Sequence, residues 1–190
     1  MLTIRHRVNE IQMLIDTPKD MGVEIDIRTL EGELILSHDP FIKGPRLKDW
    51  IKNYDHKHLI LNTKEDGLED LLIDMLKERD IVDFFFLDQP FPTVRKTIKN
   101  GCSKIALRFS EFESLSFLQN MVGQCDWVWI DSFDTYSHDL DALIKIKEMG
   151  FKLCFVSPEL QGRYCAEEMS AILAVCAKLN ADAICTKNYG

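Results

Sequence analysis

The chain has 190 residues, of which 46% are hydrophobic and 28% charged, and its formal net charge is -8. This length and composition predict one globular domain over residues 1–190 with a hydrophobic core. The acidic balance argues against a nucleic-acid backbone or an anionic membrane as the main partner, but it allows a small phosphate-bearing ligand. No apolar run approaches the ~18 residues of a membrane span, so stable membrane insertion is not expected.

The six cysteines are spaced unlike those of a metal or redox motif. They form no CxxC pair, and no His/Cys spacing is typical of zinc. Several lie inside apolar runs, which favours buried free thiols. Met1 leads almost directly into the first predicted strand, so no removable leader is expected. These patterns predict a cytoplasmic protein.

Short β-rich runs alternate with runs of helical spacing along the whole chain. The predicted strands are residues 2–6, 23–28, 59–64, 84–88, 104–109, 127–131, 152–156 and 183–186. The predicted helices are residues 67–79, 91–100, 111–121, 138–149 and 167–179. This order predicts a parallel sheet with helices outside it, and eight strands indicate an α/β fold, a compact (β/α)8 TIM barrel trimmed to this length. An open doubly wound sheet is the alternative.

Two basic residues stand at the end of the first predicted strand. His6 and Arg7 come at the carboxyl end of residues 2–6, where active sites of parallel barrels collect. A histidine there is suited to proton transfer, and an arginine is suited to bidentate contact with phosphate oxygens. The simpler alternatives are a structural histidine and a surface salt bridge.

The second predicted strand carries an acidic pair on one face. Glu24 and Asp26 flank Ile25, and alternate residues of a strand point to the same side. The apolar face of a barrel strand packs against the outer helices, so both carboxylates are expected to point inward. Two inward carboxylates cannot both stay charged without a cation, and oxygen ligands favour Mg²⁺ or Ca²⁺. An edge strand with solvated charges is the alternative.

A second histidine follows an extra β segment predicted at residues 34–37. Pro40 stops this segment and leaves His38 and Asp39 at its end. Two histidines can divide acid and base roles near neutral pH. Asp39 either orients a histidine or caps the turn. The other histidines lie in polar stretches and are predicted to be surface residues: His56, His58 and His138.

These three motifs together resemble the glycerophosphodiester phosphodiesterase family, among the phospholipase-C-like phosphodiesterases. Family members have His-Arg at the end of the first barrel strand, Glu-x-Asp on the second, and His-Asp about a dozen residues later. This chain has His6-Arg7, Glu24-Ile25-Asp26 and His38-Asp39 in that order. The match covers roughly the first third of the chain and is only topological beyond it.

The resemblance also implies roles for the third strand. The family usually has Glu-x-Lys there, with the Glu as a metal ligand and the Lys as a phosphate contact. This chain has Asn62-Thr63-Lys64. An Asn can ligate a hard cation through its carbonyl oxygen but brings no charge. Metal binding is therefore expected to weaken unless Glu65 or Asp66 helps.

The resemblance implies a metal-dependent phosphoric diester hydrolase of lipid metabolism that cleaves a glycerophosphodiester or a similar small alcohol-phosphate diester. The implied site residues are the catalytic pair His6 and His38, the phosphate ligands Arg7 and Lys64, and the Mg²⁺ or Ca²⁺ ligands Glu24, Asp26 and Asn62. His6 is assigned as base and His38 as acid, with the reverse left open.

Two other hypotheses stay open. A related barrel would bind a phosphate compound or a protein partner without turnover. A lyase would form a Schiff base through Lys64, which leaves the acidic pair and both histidines unused. A trimmed barrel is also expected to expose apolar surface, which would favour a homodimer.

Overall fold

The computed structural model describes residues 1–135 and 139–187, and these follow the predicted alternation of strands and helices. The strands are β1 (Leu2–Arg5), β2 (Gly22–Leu30), β3 (Glu33–Leu36), β4 (His58–Thr63), β5 (Phe84–Leu87), β6 (Ala106–Phe109), β7 (Trp127–Ile130), β8 (Lys152–Val156) and β9 (Ala183–Thr186). The α-helices are α1 (Ile11–Ile15), α2 (Leu47–Trp50), α3 (Glu69–Lys77), α4 (Phe91–Lys99), α5 (Leu115–Gln119), α6 (Leu140–Glu148) and α7 (Ala166–Leu179). In these two ranges, no helix has the length and apolar character that crossing a bilayer requires.

All eight predicted barrel strands are present, with ends that differ from the prediction by at most two residues. The helix predicted at residues 111–121 is shorter, because the Ser110 hydroxyl bonds the Glu113 carboxylate and accepts the Phe112 N–H at 3.1 Å. Those bonds close a turn, so the helix begins only at Leu115. The helix predicted at residues 138–149 is described from Leu140 onward, since His138 lies outside the described residues.

One compact unit spans Arg5–Cys102 and contains every predicted site residue. Its strands β2, β4 and β5 are parallel, in the order β5-β4-β2, and β3 pairs antiparallel with the second half of β2. In the β2–β4 register, Glu24 lies opposite Ile60 and Asp26 lies opposite Asn62. The register therefore places the acidic pair and Asn62 on neighbouring strands.

The second compact unit combines Met1–Ile4 with Ser103–Gly190. Its strands follow the order β1-β9-β8-β7-β6, and β6 to β9 pair in parallel. The Leu2 N–H donates to the Asp182 carbonyl at 2.8 Å, which ties β1 to the turn before β9. The single domain predicted over residues 1–190 stays a prediction.

The alternation of residues along β2 explains which face carries the core of the first unit. Val23, Ile25 and Ile27 are fully buried and share one hydrophobic cluster with Leu72 and Leu76 of α3. Each such side chain contributes about 1.5–3 kcal/mol by leaving water. The intervening residues of β2 must point to the opposite face, which sets the direction of the acidic pair.

The chain after β3 turns back and pairs with β3. The Leu36 N–H donates to the Pro45 carbonyl at 2.9 Å, and Ile35 and Arg46 form an antiparallel bridge. Gly44 allows this approach, because a Cβ atom there would lie 1.8 Å from the Leu36 carbonyl oxygen. The segment from 37 to 43 is thus a loop with both ends fixed.

Replacing Gly44 with alanine is expected to destabilise the protein by about 2–3 kcal/mol, because the new methyl group meets backbone that cannot rotate away. Urea unfolding measures this. Gly32→Ala is the control, since Gly32 has a φ of 80° but open space around its Cβ position, and it should lose only about 1 kcal/mol. Equal losses in the two variants would contradict the steric argument.

Candidate active site

A sharp turn after β1 holds His6 beside the acidic pair. Arg7 has a φ of 55°, in the left-handed region, which costs a non-glycine residue about 1–2 kcal/mol. The turn directs the Arg7 N–H onto Glu24 Oε2 at 2.7 Å and the Val8 N–H onto the Glu24 carbonyl at 2.7 Å. His6 Nε2 then lies 3.7 Å from Glu24 Oε2. The backbone strain therefore accompanies the contact that positions the histidine.

Asp26 is the centre of a buried ion cluster. Its side chain is 1% exposed, and Lys64 Nζ lies 3.1 Å from Asp26 Oδ1 while Arg7 Nε lies 3.4 Å from Asp26 Oδ2. Both cations predicted to bind phosphate therefore contact the same carboxylate. Because the Lys64 ammonium is engaged in this ion pair, its surroundings favour a charge-stabilising role over a Schiff base.

Asn9 is a site residue that the sequence analysis missed. Its side-chain amide donates to Asp26 Oδ2 at 2.9 Å, and its side-chain oxygen accepts the Asp26 N–H at 2.9 Å. This pair of bonds fixes the Asp26 carboxylate relative to the backbone of β2. The only signal in the sequence is an Asn two residues after the His-Arg motif.

Glu24 lies in a different environment from Asp26. Its side chain is also 1% exposed, and burial raises the pKa of Glu24 to about 8, with the Asp26 charge adding to the rise. The Arg7 N–H, the Asn62 side chain and the Lys64 charge oppose this pKa rise without cancelling it. Of the two carboxylates on β2, Glu24 is therefore the one whose charge its neighbours compensate less.

The oxygens around Glu24 fit a hard divalent cation. Glu24 Oε1 and Asn62 Oδ1 are buried and have no hydrogen-bond partner within residues 1–135 and 139–187. No three His, Cys, Asp or Glu side chains in those ranges form a metal cluster, since the third oxygen here belongs to an amide. Mg²⁺ commonly takes one or two carboxylates together with water and substrate phosphate. Glu24, Asp26 and Asn62 match that donor set.

His38 stands at the start of the loop that follows β3. The Ser37 N–H donates to the Asp26 carbonyl at 3.0 Å, and Arg28 Nε and one terminal nitrogen donate to the His38 carbonyl at 3.2 and 3.1 Å. The His38 ring is 41% exposed, and its Nδ1 lies 2.7 Å from Asp39 Oδ1. This hydrogen bond lowers the pKa of Asp39. Asp39 therefore orients His38, one of the two roles left open by the sequence.

The two acidic residues after β4 are engaged elsewhere. Glu65 Oε2 accepts the Thr29 hydroxyl at 2.6 Å and the Thr29 N–H at 3.1 Å. Asp66 Oδ1 accepts the Thr93 hydroxyl at 3.1 Å. Neither contact directs these carboxylates toward Asn62, so the expected help from Glu65 or Asp66 has no support in this arrangement.

The prediction that His56 and His58 are surface residues is wrong. They are only 9% and 6% exposed. His56 Nε2 lies 3.1 Å from the Thr17 carbonyl, and the His58 ring packs on Phe85 with centroids 5.1 Å apart. Burial lowers the pKa of His56. Their neighbours in sequence are polar, which predicts exposure. The burial comes from tertiary contacts that cover both rings.

The raised pKa of Glu24 predicts how the stability of metal-free protein depends on pH. An unfolded Glu titrates near 4.5 and the folded Glu24 near 8. Because the folded protein binds this proton more tightly, the contribution of Glu24 to the free energy of unfolding is fully present below pH 4.5 and is lost as the pH rises toward 8. The loss is at most about 5 kcal/mol. Thermal unfolding in chelator from pH 5 to 9 should show this loss of stability, and the loss should be smaller in Glu24→Gln. Parallel curves for the two proteins would contradict a neutral Glu24.

Solved structures similar to this chain cover nearly its whole length. A glycerophosphoryl diester phosphodiesterase from Parabacteroides distasonis matches with a TM-score of 0.66 and 13% identity, over 98% of this chain and 82% of that chain. A glycerophosphodiester phosphodiesterase from Agrobacterium tumefaciens gives 0.67 and 12%, over 99% and 96%. A candidate glycerophosphodiester phosphodiesterase from Galdieria sulphuraria gives 0.73 and 15%, over 98% and 93%.

The chain has the (β/α)8-barrel fold of these phosphodiesterases. This confirms the predicted fold class and, at the level of the fold, the resemblance carried by the three motifs. No family model matches the chain, and no curated protein matches it. At 12–15% identity, the likeness speaks for the fold, and the chemistry has to be argued from the residues.

Proposed function

We propose that this chain is a divergent glycerophosphodiester phosphodiesterase that cleaves a glycerophosphodiester or a similar small alcohol-phosphate diester with the help of Mg²⁺ or Ca²⁺. The observation that carries the proposal is the buried oxygen set of Glu24, Asp26 and Asn62 beside His6. A hydrophobic core would not keep two carboxylates and an orphaned amide oxygen together without a use for them. The shared fold with known phosphodiesterases supports the same conclusion.

Each part of the site has a separate task in this proposal. A bound divalent cation would supply charge neutralisation at a phosphate oxygen. Arg7 and Lys64 hold positive charge against the Asp26 carboxylate and would share it with the phosphate as negative charge builds up in the transition state. Asn9 keeps Asp26 in place while this redistribution occurs.

The two histidines would move the protons. His6 would accept the proton of the substrate hydroxyl that attacks phosphorus, and His38 would protonate the alkoxide that leaves. The 2.7 Å hydrogen bond between His38 Nδ1 and Asp39 Oδ1 fixes the orientation of the ring for this transfer. By resemblance to the family, the first product would be a cyclic phosphate that water then opens.

A barrel that binds phosphate without turnover is the second candidate. Asn62 stands where the family has a Glu, and Asp26 already has two cationic partners at 3.1 and 3.4 Å. Both features lower the demand for a divalent cation. Such a protein would need the cations Arg7 and Lys64 but not a pair of histidines.

Turnover assays distinguish the two candidates. Glycerophosphocholine, glycerophosphoethanolamine, glycerophosphoglycerol and a chromogenic phosphodiester would each be incubated with Mg²⁺, with Ca²⁺ and with chelator. Cleavage that needs the cation and stops with chelator is the expected result. Protein that folds and binds inorganic phosphate but cleaves none of these diesters would contradict the enzyme and favour the binding protein.

A further inference from the structure

Arg28 is a partly buried cation that the proposed reaction does not use. It follows Glu24 and Asp26 on β2, and the two-residue period of a strand places its side chain on the same face as theirs. Only 18% of that side chain is exposed. A cation on this face is expected either to contact the substrate or to hold another residue of the site, and its contacts distinguish the two roles.

All three nitrogens of the Arg28 guanidinium have partners on the protein. Nε and Nη2 donate to the His38 carbonyl at 3.2 and 3.1 Å, and Nη1 lies 3.9 Å from Glu65 Oε1. An arginine that binds phosphate presents its two-pronged donor face to the ligand. Arg28 instead turns that face to a backbone oxygen. Its contacts therefore favour holding His38 over binding substrate.

These bonds extend the attachment of the chain to β2 by one residue. The strand β3 ends at Leu36, and the Ser37 N–H still donates to the Asp26 carbonyl of β2 at 3.0 Å. At His38 a side chain of β2 takes over, because Arg28 supplies two N–H donors to the His38 carbonyl. The attachment to β2 therefore reaches His38 itself.

The hydrogen bond made by the His38 ring is local by comparison. Nδ1 lies 2.7 Å from Oδ1 of Asp39, the next residue, whose side chain is 70% exposed. That bond fixes the ring relative to the loop but not relative to the sheet. The bonds from Arg28 connect His38 to the strand that carries Glu24 and Asp26.

We propose that Arg28 is a positioning residue that holds the backbone of His38 against β2, so that the ring is in place for proton transfer. The Glu65 carboxylate steadies the guanidinium from its other end. The catalytic consequence rests on the proposed function, in which His38 protonates the leaving alkoxide. A misplacement of about 1 Å in such a group can slow a reaction by about a hundredfold.

Hydrogen–deuterium exchange tests the attachment without relying on activity. In Arg28→Gln, the amides of residues 37–43 should exchange about tenfold faster than in wild type, since His38 loses both bonds from the guanidinium. Arg28→Lys keeps the charge but cannot make the two-pronged contact, and it should exchange about threefold faster. The control, Lys48→Gln, removes an exposed 2.7 Å ion pair with Glu33 of β3. It should leave the exchange within about twofold of wild type.

A double-mutant cycle tests whether Arg28 acts through the His38 ring. Arg28→Gln alone should lower kcat for the diester that wild type cleaves fastest by about 10–100-fold and leave KM within about threefold. In the His38→Ala background, the same substitution should change the residual rate by less than about twofold, because no ring is left to misplace. A substitution that only weakened the fold would lower the rate in both backgrounds.

Each measurement has a result that would overturn the proposal. Unchanged exchange of residues 37–43 in Arg28→Gln would mean that the guanidinium does not hold the loop. Equal losses of kcat in the two backgrounds, or a raised KM with unchanged kcat, would mean that Arg28 does not act through His38. If wild type cleaves none of the diesters but the loop of Arg28→Gln exchanges faster, Arg28 still holds His38 and only the proposed function is contradicted.

Discussion

Replacing either His6 or His38 with alanine is expected to lower turnover of the preferred diester by about 10²–10⁴-fold. Each single variant lacks the group for one of the two proton transfers that the proposed reaction needs. Because the two act in one reaction, the double variant should lose little more than the worse single variant. Initial rates at saturating cation and substrate measure the effect, and phosphate binding by the variants shows that the site is still formed.

His56→Gln is the matched control for this pair. It removes a histidine on the amino-terminal side of β4 but leaves an amide that can still bond the Thr17 carbonyl. Its turnover should stay within about twofold of wild type. A His6→Ala or His38→Ala protein that keeps more than a tenth of the activity would contradict acid–base catalysis by that residue.

Replacing Asn62 with glutamate is expected to strengthen cation binding by about tenfold or more, because it adds a third carboxylate to the buried oxygen set. The same substitution should destabilise the metal-free protein by several kcal/mol, since Glu24 beside it is already difficult to ionise. Adding Ca²⁺ or Mg²⁺ should then raise the melting temperature far more than in wild type.

Asn62→Gln separates charge from side-chain length in this experiment. It has the reach of glutamate without the charge, so its cation affinity should stay near that of wild type. If Asn62→Glu and Asn62→Gln bind the cation equally, the position does not face the cation and the ligand assignment fails.

Much of the architecture could be predicted because the residues of each strand carry the signal for that strand. Short apolar runs such as Phe84–Leu87 and Trp127–Ile130 are buried on parallel strands, and turns or helices separate them. The direction of Glu24 and Asp26 followed from the two-residue period of β2 alone. These features depend on neighbours in sequence, so the residues themselves predict them.

The features that were missed depend on contacts distant in sequence. The Asn9–Asp26 clamp joins residues 17 apart and requires the left-handed turn at Arg7. Pairing of Asp26 with Lys64 depends on the register between β2 and β4, and its pairing with Arg7 depends on the turn after β1. Burial of His58 depends on Phe85 of the next strand. None of these has a local signature.

The central claim is that Glu24, Asp26 and Asn62 hold a divalent cation, and calorimetric titration tests it most directly. Mg²⁺ and Ca²⁺ would each be titrated into chelator-treated wild-type protein at pH 8 and into Glu24→Gln under the same conditions. The proposal predicts one saturable site in the wild type and its loss in Glu24→Gln, with both proteins folded. Equal binding by the two proteins, or binding of neither cation to the wild type, would contradict it.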